Sequence, residues 1–146
     1  MTVISIIAIL AMMAMPTYTQ YIKQAKISEG VALVTNVQQA IVEYYAHTGD
    51  FPANIQAVGL TGAQKLKGHY VADIQVENGA IHLIFNDKTL SKSTSLLTIR
   101  PALLTANPDN NIISWVCGYT EILQGMKPIG INKTNIKALY LPLSCR

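Results

Sequence analysis

The chain opens on MTVISIIAILAMMAM, residues 1–15, a run without a charged residue in which only Thr2 and Ser5 are polar. Their hydroxyls can bond back to helical carbonyls and are tolerable in lipid. As an α-helix the run would be about 22 Å long at 1.5 Å per residue. A bilayer core is about 30 Å thick, so the run is about five residues too short to span it.

Three structures are compatible with this run. A secretory signal peptide would have a basic leader and a small-residue cleavage site, and neither feature accompanies residues 1–15. A buried core helix would have a polar outward face, which the run lacks. We therefore favour a membrane segment whose first turns lie upstream of Met1.

The helical pattern continues beyond Pro16. Apolar side chains recur at helical spacing on one face, at Leu33, Val37, Ala40, Ile41 and Tyr44, with a neighbouring stripe at Ile27, Val31 and Val34. Gly49 is a helix stop, and Pro52 prevents an early restart. A helix over residues 1–47 would be about 70 Å long. Part of it must therefore protrude from a domain of this size, and Pro16, which lacks a backbone N–H, predicts a kink.

The remainder of the chain, residues 48–146, predicts strands. Asn78-Gly79 separates two alternating runs, the strongest short signal for a hairpin, and pairs Glu77 with Ala80. The expected apolar face holds Tyr70, Ala72, Ile74, Val76, Ile81, Leu83 and Phe85, and the polar face holds Asp73, Gln75, Glu77 and His82. Further strands are expected over residues 95–100, closed by Pro101, and 112–119. The predicted fold class is α+β, with a four-stranded antiparallel sheet packed on the long helix.

Composition limits the classes of protein that remain. The chain has 146 residues, of which half are hydrophobic and only 13% charged, so it is too apolar to be disordered. Its length suggests one domain with an appendage. A net charge of +3 is too small to argue for nucleic-acid binding by itself.

The two cysteines, Cys117 and Cys145, have no CxxC spacing and no histidine at ligand spacing, so a zinc site is not expected. In a chain with a membrane segment, a single disulfide between them is the favoured interpretation, and two free buried thiols are the alternative. A disulfide would stabilise the fold by about 3–4 kcal/mol.

No enzyme motif is present: the chain has no HExxH, GxSxG, P-loop or GxGxxG sequence. We expect His47, His69 and His82 on the surface, because no nucleophile or paired carboxylate accompanies them. We therefore predict no catalytic residue, no metal site and no cofactor.

Four stretches of the chain resemble a type IV pilin of the short-leader kind with a C-terminal disulfide loop. Residues 1–16 followed by TYTQY look like the family's N-terminal helix from its seventh residue onward. Tyr44-Tyr45 before GDFP looks like the end of that helix, and SWVCG at 114–118 looks like the strand with the first cysteine. The tail LYLPLSCR, residues 139–146, looks like the family's characteristic ending.

The resemblance implies a pilin fold, with a helix over residues 1–47, a head over 48–146 and a disulfide loop over 117–145. It implies a structural subunit of a pilus that serves surface adhesion, twitching motility and natural DNA uptake. Its partners would be identical subunits, a prepilin peptidase, the inner-membrane assembly machinery and the lipid bilayer. The subunit would be stored as a single-pass protein of the bacterial inner membrane and then exported into an extracellular filament.

The membrane and filament-core residues implied by the resemblance are all in the first run. They are Met1, Val3, Ile4, Ile6, Ile7, Ala8, Ile9, Leu10, Ala11, Met12, Met13, Ala14 and Met15, with Pro16 as the helix kink. In the family the helix begins with a methylated residue, usually Phe, and a Glu four positions later. By alignment about six such mature residues are expected upstream of Met1, and with them the helix would span a bilayer.

Two related functions stay open. Residues 122–146 carry Lys127, Lys133, Lys137 and Arg146 and no acid, so a minor pilin that binds DNA through these cations is one alternative. We favour a solvated rim, because four charges are few and no aromatic stacking platform accompanies them. A type II secretion pseudopilin is the other alternative, disfavoured by the cysteines. From another class, a secreted binding domain would lose its apolar run to a signal peptidase.

Overall fold

The structure is a computed structural model that describes residues 2–60, 68–86, 90, 94–105 and 112–146, without the side chains of residues 14–17. It contains a helix α1 (Thr2–Thr48) and five strands: β1 (Val71–Glu77), β2 (Ala80–Phe85), β3 (Ser95–Leu104), β4 (Ile113–Cys117) and β5 (Met126–Pro128). Short 3₁₀ helices cover Ile55–Val58, Ala138–Tyr140 and Leu143–Cys145.

The strands form one antiparallel sheet in the order β1-β2-β3-β4, and β5 pairs with the end of β3. This confirms the predicted α+β fold, a long N-terminal helix on an antiparallel sheet. The short β5 is an addition to the four predicted strands. It pairs with β3 from Ala102 to Leu104, on residues beyond those that pair with β2.

The helix α1 ends where the sequence predicts. Gly49 has a left-handed φ of 76°, and its N–H donates to the carbonyl of Tyr45 at 2.8 Å. The Thr48 hydroxyl donates to the carbonyl of Tyr44 at 2.8 Å. These bonds satisfy carbonyls that the helix itself leaves unpaired at its end.

One face of α1 packs on the sheet through residues spaced three and four apart. Its buried members are Ile27, Gly30, Val34, Val37 and Ile41. This line runs between the two apolar stripes that the sequence predicts, and Leu33 and Ala40 lie half-buried beside it. Gly30 is part of it because a Cβ there would lie only 2.8 Å from the ring of Phe85.

The hairpin of β1 and β2 has the predicted register. Glu77 pairs with Ala80, Val76 with Ile81 and Gln75 with His82. Asn78 and Gly79 have φ values of 48° and 82°, the left-handed backbone that a two-residue turn requires.

The predicted apolar face of β1 is wrong at its start. A register shift between Val71 and Asp73 makes Ala72 the extra residue of a β-bulge. Because a one-residue insertion reverses the faces before it, Val71 is buried at 1% exposure, whereas Tyr70 and Ala72 are only half-buried.

Pro101 does not close β3, as the sequence predicts, but lies inside it. Pairing with β2 ends at Ile99, and pairing with β5 begins at Ala102. The missing N–H of Pro101 therefore falls in a gap between two neighbouring strands, where no ladder bond is lost. Its carbonyl accepts a bond from Ile129 N–H at 2.8 Å.

Replacing Gly30 by alanine tests this packing. Alanine favours a helix by about 1 kcal/mol, but its methyl group would overlap the Phe85 ring, and overpacking costs about 1–3 kcal/mol. We expect net destabilisation, measured by urea unfolding of the detergent-solubilised chain with Trp115 fluorescence. Ser28→Ala, at an exposed position of the same helix, is the matched control and should not destabilise. Equal stability of the two variants would contradict the close approach.

Candidate functional site

The first part of α1 is an exposed apolar rod. Across residues 2–13 every residue is exposed, and the large apolar side chains are 57–75% accessible. They are Val3, Ile4, Ile6, Ile7, Ile9, Leu10, Met12 and Met13. A water-soluble head does not cover such a surface by itself, so another apolar phase or another apolar chain must do so. By length and composition α1 can cross a membrane.

Some predicted core residues cannot be assessed. Met1 lies outside the described residues, as do the side chains of Ala14, Met15 and Pro16. Ala8 and Ala11 are described and exposed, with the rest of the rod. The role of all these side chains as a membrane or filament core stays a prediction.

A disulfide joins β4 to the end of the chain. Cys117 and Cys145 are bonded at an S–S distance of 1.97 Å, and Cys145 is fully buried. Beside the bond, Tyr119 N–H donates to the Cys145 carbonyl at 3.0 Å, and the Thr120 hydroxyl donates to the Ser144 carbonyl at 2.7 Å. The tail is therefore attached to β4 by a covalent bond and by backbone acceptors on both sides of it.

The tail is also attached to α1. The Leu139 carbonyl accepts bonds from the side-chain amides of Gln20 and Gln24, each at 3.2 Å. The Lys23 ammonium lies 4.2 Å from the centre of the Tyr140 ring, a cation–π distance. The tail thus links the end of β4 to the helix just beyond the exposed rod.

Residues 132–135 run along β3 where β4 has ended. The Asn135 side-chain oxygen accepts from Leu96 N–H at 2.8 Å, and the Thr134 hydroxyl accepts from Thr98 N–H at 3.0 Å. The Asn132 amide donates to the Gly118 carbonyl at 2.7 Å. These side chains replace a strand's backbone partners, and sequence reasoning missed them because they act across 14 to 39 positions.

His82 is buried at 3% exposure, which contradicts its predicted place on the surface. Its Nδ1 lies 2.9 Å from the Thr98 hydroxyl, which also accepts from Lys133 N–H at 3.0 Å. The polar face of the hairpin is therefore not solvated, because the disulfide loop covers it. Gly130 approaches so closely that a Cβ there would lie 2.6 Å from the Ala80 Cβ. His47 and His69 are exposed, as predicted.

A small charged cluster surrounds His82. Its Nε2 lies 3.6 Å from Glu77, whose carboxylate also forms an ion pair with Lys133. Burial lowers the pKa of His82, and the Lys133 charge lowers it further, against the opposing effect of Glu77. The hydrogen bond and charge of Lys133 hold the pKa of Glu77 below its ordinary value.

The four tail cations do not form one patch. Lys127 lies on β5 opposite Leu103, and Lys133 pairs with Glu77 beside the hairpin turn. Arg146 lies at the other end of the head, where its guanidinium donates to the carbonyls of Leu141 at 3.0 Å and Leu139 at 3.2 Å. Lys65 and Lys67, a second small basic cluster, lie outside the described residues.

Among the described residues, no group of three His, Cys, Asp or Glu side chains is placed to hold a metal ion. The distinctive features are instead the rod and the tail that is fastened at its base. Residues 24–146 match the family Pilin, described as a bacterial filament protein.

The chain belongs to the pilin family.

Three relatives match this pilin over its whole length. The Type IV major pilin protein PilE1 of Neisseria gonorrhoeae is 30% identical, with 82% of its own length covered. A Fimbrial protein of Neisseria meningitidis serogroup B is 28% identical, with 89% covered. The Fimbrial protein EcpC of Eikenella corrodens is 31% identical, with 85% covered. The resemblance to type IV pilins is thereby confirmed, and the chain is a pilus subunit.

Removing the disulfide tests the tail. In the pilin with Cys117→Ala and Cys145→Ala, we expect a loss of about 3–4 kcal/mol in the free energy of unfolding. Urea unfolding followed by Trp115 fluorescence measures it. Dithiothreitol should weaken the parent pilin similarly and leave the double variant unchanged. A double variant as stable as the parent would show that the noncovalent bonds of the tail suffice.

The buried histidine predicts acid sensitivity. Because its folded pKa lies below the ordinary 6.5, the unfolded chain binds the proton first as the pH falls. Stability should therefore decrease below about pH 6.5, before Glu77, with an ordinary pKa of 4.5, contributes any loss.

Unfolding midpoints of the pilin measured from about pH 7.5 to 5 check this expectation. His82→Gln, which keeps a hydrogen-bonding side chain without a titrating ring, should flatten the acid side of the profile. His69→Gln, at an exposed histidine, is the matched control and should leave the profile unchanged. A profile that His82→Gln does not alter would exclude His82 as the cause.

Proposed function

We propose that this pilin is a structural subunit of a type IV pilus whose exposed rod lies in the inner membrane before assembly and forms the filament core afterwards. One observation carries the proposal: the same helix packs one half on the sheet and leaves the apolar half, residues 2–13, uncovered. Lipid and a bundle of identical rods are two surroundings that satisfy this surface equally well.

The exchange between these surroundings needs no large hydrophobic gain, because lipid tails are as apolar as the side chains themselves. Packing between helices then decides the assembled state. Ala8 and Ala11, both on the exposed rod, allow neighbouring helices to approach closely. A contact between different surfaces of identical subunits does not close on itself and generates a helical filament.

We further propose a prepilin peptidase and an inner-membrane assembly machinery as partners. The support is that a rod of this hydrophobicity requires a membrane for storage and a mechanism for extraction. The pilus would project from the cell surface and serve adhesion and twitching motility, with natural DNA uptake as a further use. The names of the relatives, type IV major pilin and fimbrial protein, agree with a filament-forming subunit.

A DNA-receptor pilin is the weaker alternative. Lys133 is paired with Glu77, and Arg146 lies at the opposite end of the head. A phosphate backbone would therefore meet separated cations rather than a continuous basic stripe. The Cys117–Cys145 loop disfavours a pseudopilin, and we propose no enzymatic role.

The proposal is tested by expressing variants as the sole pilin in a host strain that lacks its own pilin gene. Leu10→Asp places a charge in the rod at a cost of about 2.5–3.5 kcal/mol in the membrane. We expect no filaments by electron microscopy and no pilin in the sheared surface fraction. Leu10→Met conserves volume and hydrophobicity and should assemble normally.

The outcome that contradicts the proposal is a normal yield of filaments from Leu10→Asp. Deletion of the gene from the organism that carries it should abolish surface filaments, and twitching, adhesion and transformation are then scored separately. Loss of transformation with filaments and motility intact would instead favour the DNA-receptor alternative.

A further inference from the structure

The base of the head lies where the charge-free part of α1 ends. Residues 2–22 contain no charge and extend about 31 Å as a helix, close to the thickness of a bilayer core. Lys23 is the first charged residue. The tail docks on this same turn, since Gln20 and Gln24 both donate to the Leu139 carbonyl.

Exposed aromatic and aliphatic side chains surround this docking point. Tyr18 and Tyr21 on α1 are 66% and 68% exposed, and Leu139 and Leu143 on the tail are 53% and 85% exposed. Tyrosine is enriched at membrane–water interfaces, where its ring lies among headgroups. The tail presents its leucines at the same level as these rings, because Leu139 contacts Gln20 and Gln24.

Positive charge is concentrated at the same place. Lys23 and Lys26 follow the charge-free part of α1, and the tail contributes Lys137 and Arg146. Neither residues 18–28 nor residues 122–146 contain an acid. Lys137 directly precedes the 3₁₀ helix Ala138–Tyr140, and the Arg146 guanidinium is held beside Leu139 at 3.2 Å.

We propose that this collar, formed by Tyr18, Tyr21, Lys23, Lys137, Leu139 and Arg146, binds the anionic phospholipid headgroups of the leaflet that the head faces while the subunit is stored. The inference rests on the proposed membrane storage and adds a ligand to it. A membrane surface is the favoured occupant because the collar is continuous with the charge-free helix and complements negative headgroups. Each basic residue near such a surface contributes about 1 kcal/mol, which keeps the contact reversible for extraction.

The experiment uses the full chain reconstituted in phosphatidylcholine bilayers that contain trace spin-labelled phosphatidylglycerol or spin-labelled phosphatidylcholine. Electron spin resonance measures the relative association of the two lipids with the protein. At low salt we expect a preference for phosphatidylglycerol of about fivefold, the equivalent of about 1 kcal/mol. Lys137→Gln with Arg146→Gln should reduce this preference at least by half, and high salt should abolish it.

Two matched variants isolate the collar. Lys127→Gln removes a tail cation at the far end of the head and should keep the full preference. Arg146→Lys keeps the charge, and paired with intact Lys137 it should also keep the preference. If Arg146→Lys loses it, the guanidinium acts by holding the tail rather than by meeting lipid, and the proposal is overturned.

The remaining outcomes are equally decisive. An unchanged preference in the double variant would show that lipids meet only the lysines of α1, and the tail would have no part in binding. If the double variant keeps the preference but fails to form filaments, the partner is a neighbouring subunit, and the proposal fails. A chain that does not enter bilayers at all would instead overturn the proposed storage function.

Discussion

One helix serves two environments, and the rest of the molecule follows from this constraint. Over Ile27 to Ile41 its apolar face is buried against the sheet, so this part is the core of a water-soluble head. Over residues 2–13 the same helix has no comparable cover among the described residues. The head needs only half of α1 to fold, which leaves the other half available to lipid or to other helices.

The tail makes the junction of these halves a defined place. It is bonded to β4 through Cys117–Cys145, and it returns to α1 through the Leu139 carbonyl. A chain end with neither attachment would be expected to fray. Here it positions cations, leucines and the Tyr140 ring against the helix just above the rod, which is why the base of the head can act as a surface in its own right.

The disulfide loop also changes the outer face of the sheet. Residues 130–135 cross the hairpin and bury His82 beside Thr98, while Lys133 pairs with Glu77. A face that would otherwise be solvated becomes a polar second core, with every contact spanning a long distance along the chain. The acid sensitivity of the head originates in this covering segment, not in the strand that carries the histidine.

Much of the fold could be predicted from the sequence because local chemistry decides it. The apolar run, the Gly49 stop and the Asn78-Gly79 turn each act over a few residues, and they predicted α1 and the hairpin register correctly. The cysteine pairing also followed, since only two cysteines exist. Within the candidate site, the rod was evident from composition alone.

Tertiary structure decided what depends on neighbours that are distant in sequence. The bulge at Ala72, the continuation of β3 through Pro101 and the burial of His82 are set by partner strands and by the disulfide loop. Alternation along a strand records which faces differ, but not whether a later segment will cover the polar one. The amino-acid sequence thus determined that an apolar rod and a disulfide-bonded head exist, and only packing determined that the tail cations separate and that Arg146 lies at the base of the head.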